Sequence, residues 1–250
     1  MGLELADLEP LVETLASDPG RRGSLLFLGD PTLHFTPMDV ERVAAGAGLD
    51  VQAPQPMDGV SFGHCLGFER VETADVAPPA TVVLDLNAET PPDLVGTFDW
   101  VVDAGTIFWC SDPGAALRNA LRLCRPGGVV MHITAVAGHY GRGYYNLHPR
   151  LLEDFHAING GELLRASYRA RMRPTGLRAL WPFRRTPEYR ATGPGEVYLA
   201  GAGRGTLRFA RSSSSHGPDM APSTIVGTSV FRRGAATEIA MPVLRIEDTT

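Results

Sequence analysis

The chain has 250 residues, of which 44% are hydrophobic and 20% are charged, which is typical of a globular protein with one sizeable core. The formal net charge of −5 gives no general reason to bind nucleic acid. No apolar run approaches the roughly 20 residues that cross a bilayer, and the N-terminus lacks the basic start of a signal peptide. We therefore expect a cytoplasmic protein without nucleic-acid or membrane partners.

Every basic residue is an arginine, because the 23 Lys and Arg residues include no lysine. This excludes Schiff-base chemistry, a pyridoxal phosphate anchor and a phosphate-loop lysine. The three cysteines, Cys65, Cys110 and Cys124, are scattered and form no C-x-x-C pair. That spacing argues against a disulfide framework or a structural zinc site, and we expect no bound metal.

Hydrophobic periodicity and capping residues predict the first elements in chain order. They are a helix over 3–16, a strand over 24–29 (SLLFLG), a helix from Thr36-Pro37 to Gly48, a proline-rich loop over 50–60 and a short helix over 62–66. Four strand-like segments come next, at 69–76, 80–87, 97–105 and 127–136, with a helix that begins at Asp112-Pro113 before the fourth. A helix over 149–160 and strands over 162–171 and 223–234 complete the pattern.

This alternation predicts an α/β protein with a Rossmann-like, doubly wound sheet, mostly parallel, with an antiparallel last strand as an edge hairpin. In such sheets ligands bind at the carboxyl ends of the strands. Polar residues follow four of the predicted strands there: Gly29, Asp30, Asp75, Asp85, Asn87 and Asp103. Strand ends are also polar because they meet water, but four successive strands that end in an acid favour a binding site.

The segment FDWVVDAGTIFWCSDPGAALRNALRLCRPGGVVMHITAV resembles the fourth strand, helix and fifth strand of class I S-adenosylmethionine-dependent methyltransferases. The following GHYGRGYYNLHPRLLEDF is similar to the segment after the fifth strand in a small-molecule or sugar methyltransferase subgroup. The resemblance covers about residues 24–168. The first loop departs from the family pattern, because only Gly29 remains of its usual glycines and Pro31 removes a backbone donor.

The resemblance implies S-adenosylmethionine as cofactor and assigns roles by position. Gly29 and Asp30 would lie under the methionine and ribose, Asp75 beside Val76 would accept hydrogen bonds from the ribose hydroxyls, and Asp85, Leu86 and Asn87 would meet the adenine. Asp103, Ala104, Gly105 and Thr106 would form the floor beside the sulfonium, and Trp109 would stack on adenine or cover the sulfonium.

A hydroxyl or amine acceptor needs a base, and His139 lies in the expected region; the alternative is a surface-loop histidine. The predicted substrate-binding residues are His34, Tyr140, Arg142, Tyr144, Tyr145 and Asn146. The arginines over 165–190 would either recognise a phosphate or carboxylate on the substrate or form a solvated surface or a homodimer contact.

The predicted organisation is an N-terminal helical segment (1–22), a methyltransferase-like core (23–170), an Arg/Pro/Gly-rich excursion (171–222) and a last strand with tail (223–250). The expected reaction is methyl transfer from S-adenosylmethionine to O or N of a small metabolite, such as a sugar or natural product. Two alternatives stay open. One is an enzyme of the same fold that catalyses cyclisation, elimination or rearrangement; the other is a non-catalytic partner subunit.

Overall fold

The computed structural model describes residues 2–18, 22–139, 141–174, 188–192, 196–199, 206–208 and 220–243. The helices are α1 (Leu5–Ser17), α2 (Pro37–Gly46), α3 (Gly59–Cys65), α4 (Pro113–Leu123) and α5 (Pro149–Ile158). The strands are β1 (Gly2–Glu4), β2 (Ser24–Leu28), β3 (Thr32–His34), β4 (Arg70–Asp75), β5 (Val82–Val83), β6 (Phe98–Asp103), β7 (Cys124–Gly138), β8 (Glu162–Pro174), β9 (Glu188–Thr192), β10 (Glu196–Leu199), β11 (Thr206–Arg208) and β12 (Met220–Arg232). Among these described elements, no helix has the length and apolar character to span a bilayer.

The main sheet has the strand order β11-β10-β9-β8-β12-β7-β6-β2-β4-β5. Five neighbouring strands of this sheet, in the spatial order β7-β6-β2-β4-β5, run parallel to one another. Strand β12 runs antiparallel to both of its neighbours. The predicted Rossmann-like fold with an antiparallel last strand is therefore confirmed. The predicted edge position is wrong, because β12 lies between β7 and β8 and so pairs on both sides.

The central strand β2 is buried on both faces, as a parallel strand covered by helices must be. All five residues of β2 are buried. Leu26 and Leu28 belong to a core that includes α4 residues, while Leu25 and Phe27 belong to a second core that includes residues of α1, α2 and α3. Successive side chains of a strand point to opposite faces of the sheet, so the apolar run of β2 contributes to the core on each face.

Capping residues fix three helix starts where the sequence predicted them. Thr36 accepts from the backbone N–H of Asp39, and the Asp39 carboxylate accepts from the Thr36 backbone in return. Asp112 accepts from the first turn of α4 at 2.8 Å. His148 caps α5 through its Nδ1 at 3.1 Å. Each of these side chains satisfies a backbone donor that the helix itself leaves without a partner.

Strands β1 and β3 form a separate parallel ladder that the sequence did not predict. Leu3 pairs with Leu33 and Glu4 with His34, so the first residues of the chain lie beside the loop that follows β2. A Cβ atom on Gly2 would lie 2.0 Å from the Thr32 carbonyl oxygen. The predicted cofactor loop is therefore partly a strand.

A buried acid joins α1 to the antiparallel part of the sheet. Asp7 is fully buried, and it accepts hydrogen bonds from Arg169 on β8, from the Thr228 hydroxyl on β12 and from the backbone N–H of Glu4. The Arg169 side chain is itself almost wholly buried. Both charges are thus compensated within one cluster, as buried charges need to be.

We expect Asp7→Ala to lower the free energy of unfolding by about 3–5 kcal/mol, because Arg169 would remain buried without its partner. The matched control is Glu13→Ala, which breaks a half-exposed ion pair between the same two elements, Glu13 to Arg165 at 3.6 Å. That change should cost less than about 1 kcal/mol. Urea denaturation of both variants measures the difference, and equal losses would contradict the role of burial.

The predicted excursion over 171–222 contains the described strands β9, β10 and β11. The glycine-rich GAGRG at 201–205 lies outside the described residues. The predicted domain boundaries stay a prediction.

Candidate cofactor and substrate site

The predicted cofactor residues follow adjacent strands at one edge of the parallel sheet. Leu28, the last residue of β2, is in register with Ala74 of β4 and with Asp103 of β6. Asp75 is in register with Val83 of β5. The residues that follow these positions therefore lie at the carboxyl edge, where open α/β sheets bind their ligands.

Gly29 and Thr106 join the loops after β2 and β6. Gly29 has a φ of +82°, which favours glycine, and its N–H donates to the Ala74 carbonyl at 2.7 Å. A Cβ atom there would lie 2.7 Å from the Thr106 hydroxyl oxygen. That hydroxyl donates to the Leu28 carbonyl at 2.6 Å, so it has a fixed position. Gly29 therefore lets the Thr106 hydroxyl pack directly against the backbone of the loop after β2.

We expect Gly29→Ala to destabilise the protein by about 1–3 kcal/mol, because alanine is strained at this φ and its methyl group would displace Thr106. Gly46→Ala in α2 is the control, since a Cβ atom at Gly46 has no atom within 4 Å. Thermal denaturation compares the two. Equal melting temperatures of both variants would contradict this expectation, because they would show that Thr106 can move away from the added methyl group without loss of stability.

A second glycine lies beside this loop, and sequence reasoning missed it. Gly59, the first residue of α3, packs against Pro31: a Cβ atom at Gly59 would lie 2.7 Å from Pro31 Cγ and 3.6 Å from Asp30 Oδ1. The loop after β2 is glycine-poor in sequence, and residues 32–58 separate it from Gly59, which packs against it. The sequence signal that could have located Gly59 at the start of a helix is Asp58. Asp58 caps α3 by accepting a hydrogen bond from the Ser61 backbone N–H at 2.7 Å.

Asp75 is exposed at the end of β4, and its Oδ1 accepts from the backbone N–H of Val76 at 2.7 Å. Its backbone carbonyl accepts from Leu84 at 2.8 Å, which places the loop after β5 alongside. The second carboxylate oxygen remains available to solvent or ligand. A carboxylate at this position suits a ligand with adjacent hydroxyl groups.

The predicted adenine residues form a bonded turn between β5 and α4. Asp85 Oδ1 accepts from the Asn87 backbone at 2.9 Å and from its side chain at 2.8 Å, and these bonds lower the pKa of Asp85. Asn87 Oδ1 accepts in turn from Ser111 at 3.0 Å and from the backbone N–H of Asp112 at 2.9 Å. Leu86 is buried in the core between them. The turn is therefore fixed to the start of α4.

Asp103 is fully buried and holds the turn that follows β6. Its Oδ1 accepts from the backbone N–H groups of Gly105, Thr106 and Ile107 at 3.1, 2.7 and 3.2 Å. Ala104 is buried as well. The Asp103 side chain, which was predicted to form part of the cofactor floor, therefore binds the backbone of the turn that follows it.

The other Asp103 oxygen begins a buried chain of side chains. Asp103 Oδ2 lies 3.3 Å from His132 Nδ1, and His132 Nε2 lies 3.0 Å from His156 Nε2. The His156 ring stacks on Phe231 at 3.9 Å. The contact between the two Nε2 atoms is a hydrogen bond when one of them carries a proton and the other accepts it. Burial, with a smaller contribution from His132, holds the pKa of His156 well below its usual value.

We expect the free energy of unfolding to fall as the pH drops from about 7.5 to 5.5. Below about pH 6.5 the unfolded chain protonates His156 while the folded protein resists it, so stability is lost on acidification. His156→Gln, which keeps a polar group but does not titrate, should reduce this dependence. The exposed His64→Gln is the control and should behave like the unmodified protein in urea denaturation. Identical pH profiles for all three would contradict the assignment.

An aromatic loop is attached to the floor turn. The Phe108 carbonyl accepts from the backbone N–H groups of Tyr144 at 2.9 Å and Tyr145 at 3.3 Å, and the Tyr145 hydroxyl donates to the Ser111 carbonyl at 3.0 Å. Gly143 permits this contact, since a Cβ atom there would lie 2.2 Å from the Phe108 ring. Tyr144 is 74% exposed and Trp109 45% exposed, so both present aromatic surface to solvent.

The predicted base and the remaining predicted substrate residues do not all lie in this loop. His139, half-buried at the end of β7 with a φ of 57°, has its ring 6.4 Å from that of Phe108, and its carbonyl accepts from the Arg142 N–H at 2.9 Å. Arg142 and Asn146 are exposed. Tyr140 lies outside the described residues. His34 lies on β3, in the separate ladder.

The strand order defines a Rossmann-like α/β domain, and the predicted cofactor residues lie at the carboxyl edge of β2, β4, β5 and β6. Residues 43–132, which include β4 to β6 and the start of β7, match the family model described as a methyltransferase domain. This match to a methyltransferase domain agrees with the family resemblance that the sequence predicted. No curated protein matches the chain.

Three solved structures are similar in outline. The 1,6-didemethyltoxoflavin-N1-methyltransferase of Burkholderia thailandensis is 13% identical over 92% of this chain and 79% of that chain, with a TM-score of 0.42. The N-methyltransferase NodS of Bradyrhizobium japonicum WM9 is 11% identical over 90% and 94%, with a TM-score of 0.40. The branched-chain polyamine synthase of Thermus thermophilus is 13% identical over 94% of this chain but only 58% of its own, with a TM-score of 0.40.

Proposed function

We propose that the protein transfers a methyl group from S-adenosylmethionine to an oxygen or nitrogen atom of a small metabolite. The observation that carries the proposal is the attachment of the aromatic loop to Phe108. Phe108 lies two residues beyond Thr106, so the proposed base and substrate residues adjoin the proposed cofactor floor. A methyltransferase needs this arrangement, because its main task is to align acceptor and donor.

The residues at the carboxyl edge fit the cofactor. Asp75 would accept from the ribose hydroxyls, Gly29 would allow close approach of the backbone, and the turn that contains Asp85 and Asn87 would contact the adenine. Trp109 offers an aromatic face, which stabilises a nearby cation by about 0.5–2 kcal/mol. When bound, S-adenosylmethionine supplies a methyl group that its sulfonium already activates.

The acceptor must lose a proton when its oxygen or nitrogen takes the methyl group. His139 is the residue that we assign to this step, because an imidazole is neutral near pH 7 and lies at the end of β7 next to the floor turn. Tyr144 and Tyr145 would hold the acceptor from the solvent side. The Asp103 carboxylate takes no part in proton transfer and instead positions the turn.

Cofactor binding tests the first half of the proposal. At about 100 times the dissociation constant, S-adenosylhomocysteine should add roughly 2.7 kcal/mol and raise the melting temperature by about 5–10 °C. Asp75→Ala should abolish this shift. Asp93→Ala is the control, since Asp93 is also exposed but precedes β6 and so lies at the opposite end of the sheet. No shift for the unmodified protein at millimolar ligand would overturn the proposal.

Turnover tests the second half. Incubation with S-adenosylmethionine that carries a tritiated methyl group and a deproteinised metabolite extract should give labelled product and the demethylated cofactor. His139→Gln should lower this rate about 100-fold or more while the melting shift with S-adenosylhomocysteine stays unchanged. Cofactor binding without any release of S-adenosylhomocysteine would refute methyl transfer and favour a non-methylating reaction in the same fold.

A further inference from the structure

The segment between β2 and α3 contains a cleft of about 440 Å³. None of the eight side chains that line it carries a charge: Leu33, Phe35, Thr36, Pro37, Met38, Gln55, Pro56 and Met57. The volume is within the range of about 300–1,000 Å³ that small-molecule sites occupy. Every lining residue comes from this one segment of the chain.

The inner wall of the cleft is part of the folded core. Leu33, Phe35 and Met57 pack against the core cluster on one face of the sheet. The Phe35 ring lies 5.3 Å from the ring of Phe62 on α3. Glu41 on α2 accepts from the backbone N–H of Ala53 at 3.1 Å and so fixes the loop that supplies the opposite wall. The cleft is therefore formed before any ligand binds.

The outer wall is exposed and adaptable. Met38 is 75% exposed, although it lies next to partly buried apolar residues. An unbranched thioether side chain adjusts readily to ligands of different shape. Of the two polar lining residues, Thr36 uses its hydroxyl to cap α2 with Asp39, which leaves the exposed Gln55 amide as the polar side chain that faces a ligand.

The cleft lies close to the proposed cofactor site. Leu33 follows Pro31 by two residues and Met57 precedes Gly59 by two residues, and each pair spans at most about 7 Å. Pro31 and Gly59 are in contact beside Asp30. Two residues of the cleft lining therefore lie near the Pro31–Gly59 contact, beside the loop after β2.

We propose that this cleft binds the apolar part of the methyl acceptor, so that the acceptor is a neutral, lipophilic small molecule with an aromatic or alkyl group. The assignment rests on the proposed methyl transfer and narrows its substrate class. A phosphorylated or nucleotide-linked sugar does not suit these walls, because they offer no cation to a phosphate. The acceptor's reactive hydroxyl or aromatic amine, both neutral at pH 7, would lie toward Asp30 and the floor turn.

Binding of the neutral fluorescent probe N-phenyl-1-naphthylamine tests the cleft directly. With S-adenosylhomocysteine at saturation, the protein should bind the probe, and Met38→Glu combined with Gln55→Glu should weaken binding at least about 10-fold, because carboxylates would replace apolar or neutral surface. The control combines Ile158→Glu and Val243→Glu, two exposed apolar positions outside the cleft. The control should bind the probe like the unmodified protein.

The two proposals fail in different ways. No probe binding, or equal binding by both double variants, overturns the cleft assignment while a melting shift with S-adenosylhomocysteine keeps the cofactor site. Loss of that shift in the unmodified protein overturns the methyl transfer instead. The tritiated product supplies a second readout: it should partition into ethyl acetate from water at neutral pH. Labelled product confined to the aqueous phase would contradict a lipophilic acceptor.

Discussion

The buried carboxylate of Asp103 is the constraint on which the whole carboxyl edge depends. One of its oxygens holds three backbone N–H groups of the turn after β6, and the other meets His132. That turn places the Thr106 hydroxyl against Gly29 and the Phe108 carbonyl under the aromatic loop. Three separate segments of the chain thus take their positions from one side chain. A charged hydrogen-bond acceptor is stronger than a neutral one, which suits it to this task in a dry interior.

The segment 32–58 joins the loop after β2 to the cleft. Pro31 packs against Gly59, so the two ends of this segment meet in space. The same segment supplies every side chain that lines the cleft. The glycine-poor loop is therefore followed directly by an apolar surface.

Much of the fold could be predicted because its signals are local. Thr36, Asp112 and His148 cap helices within four residues of themselves, and β2 is a continuous apolar run. The features that were missed depend on partners distant in sequence. The ladder of β1 with β3 contains three residue pairs about thirty positions apart, and His156 meets His132 across two elements. The edge position predicted for β12 was wrong for the same reason, since its partner β8 is not its neighbour along the chain. In the candidate site, the polar residues at the strand ends could be predicted from the sequence. The position of Gly59 could not, because only the packing of the folded chain brings it beside Pro31.

The β1–β3 ladder gives the first residues of the chain a role in the architecture of the cleft. Leu3 is buried and pairs with Leu33, whose side chain forms part of the cleft wall. The close fit of Gly2 against Thr32 leaves little room for a bulkier residue at that position. Substitutions in residues 2–4 would therefore disturb a wall of the cleft, although none of these residues lines it.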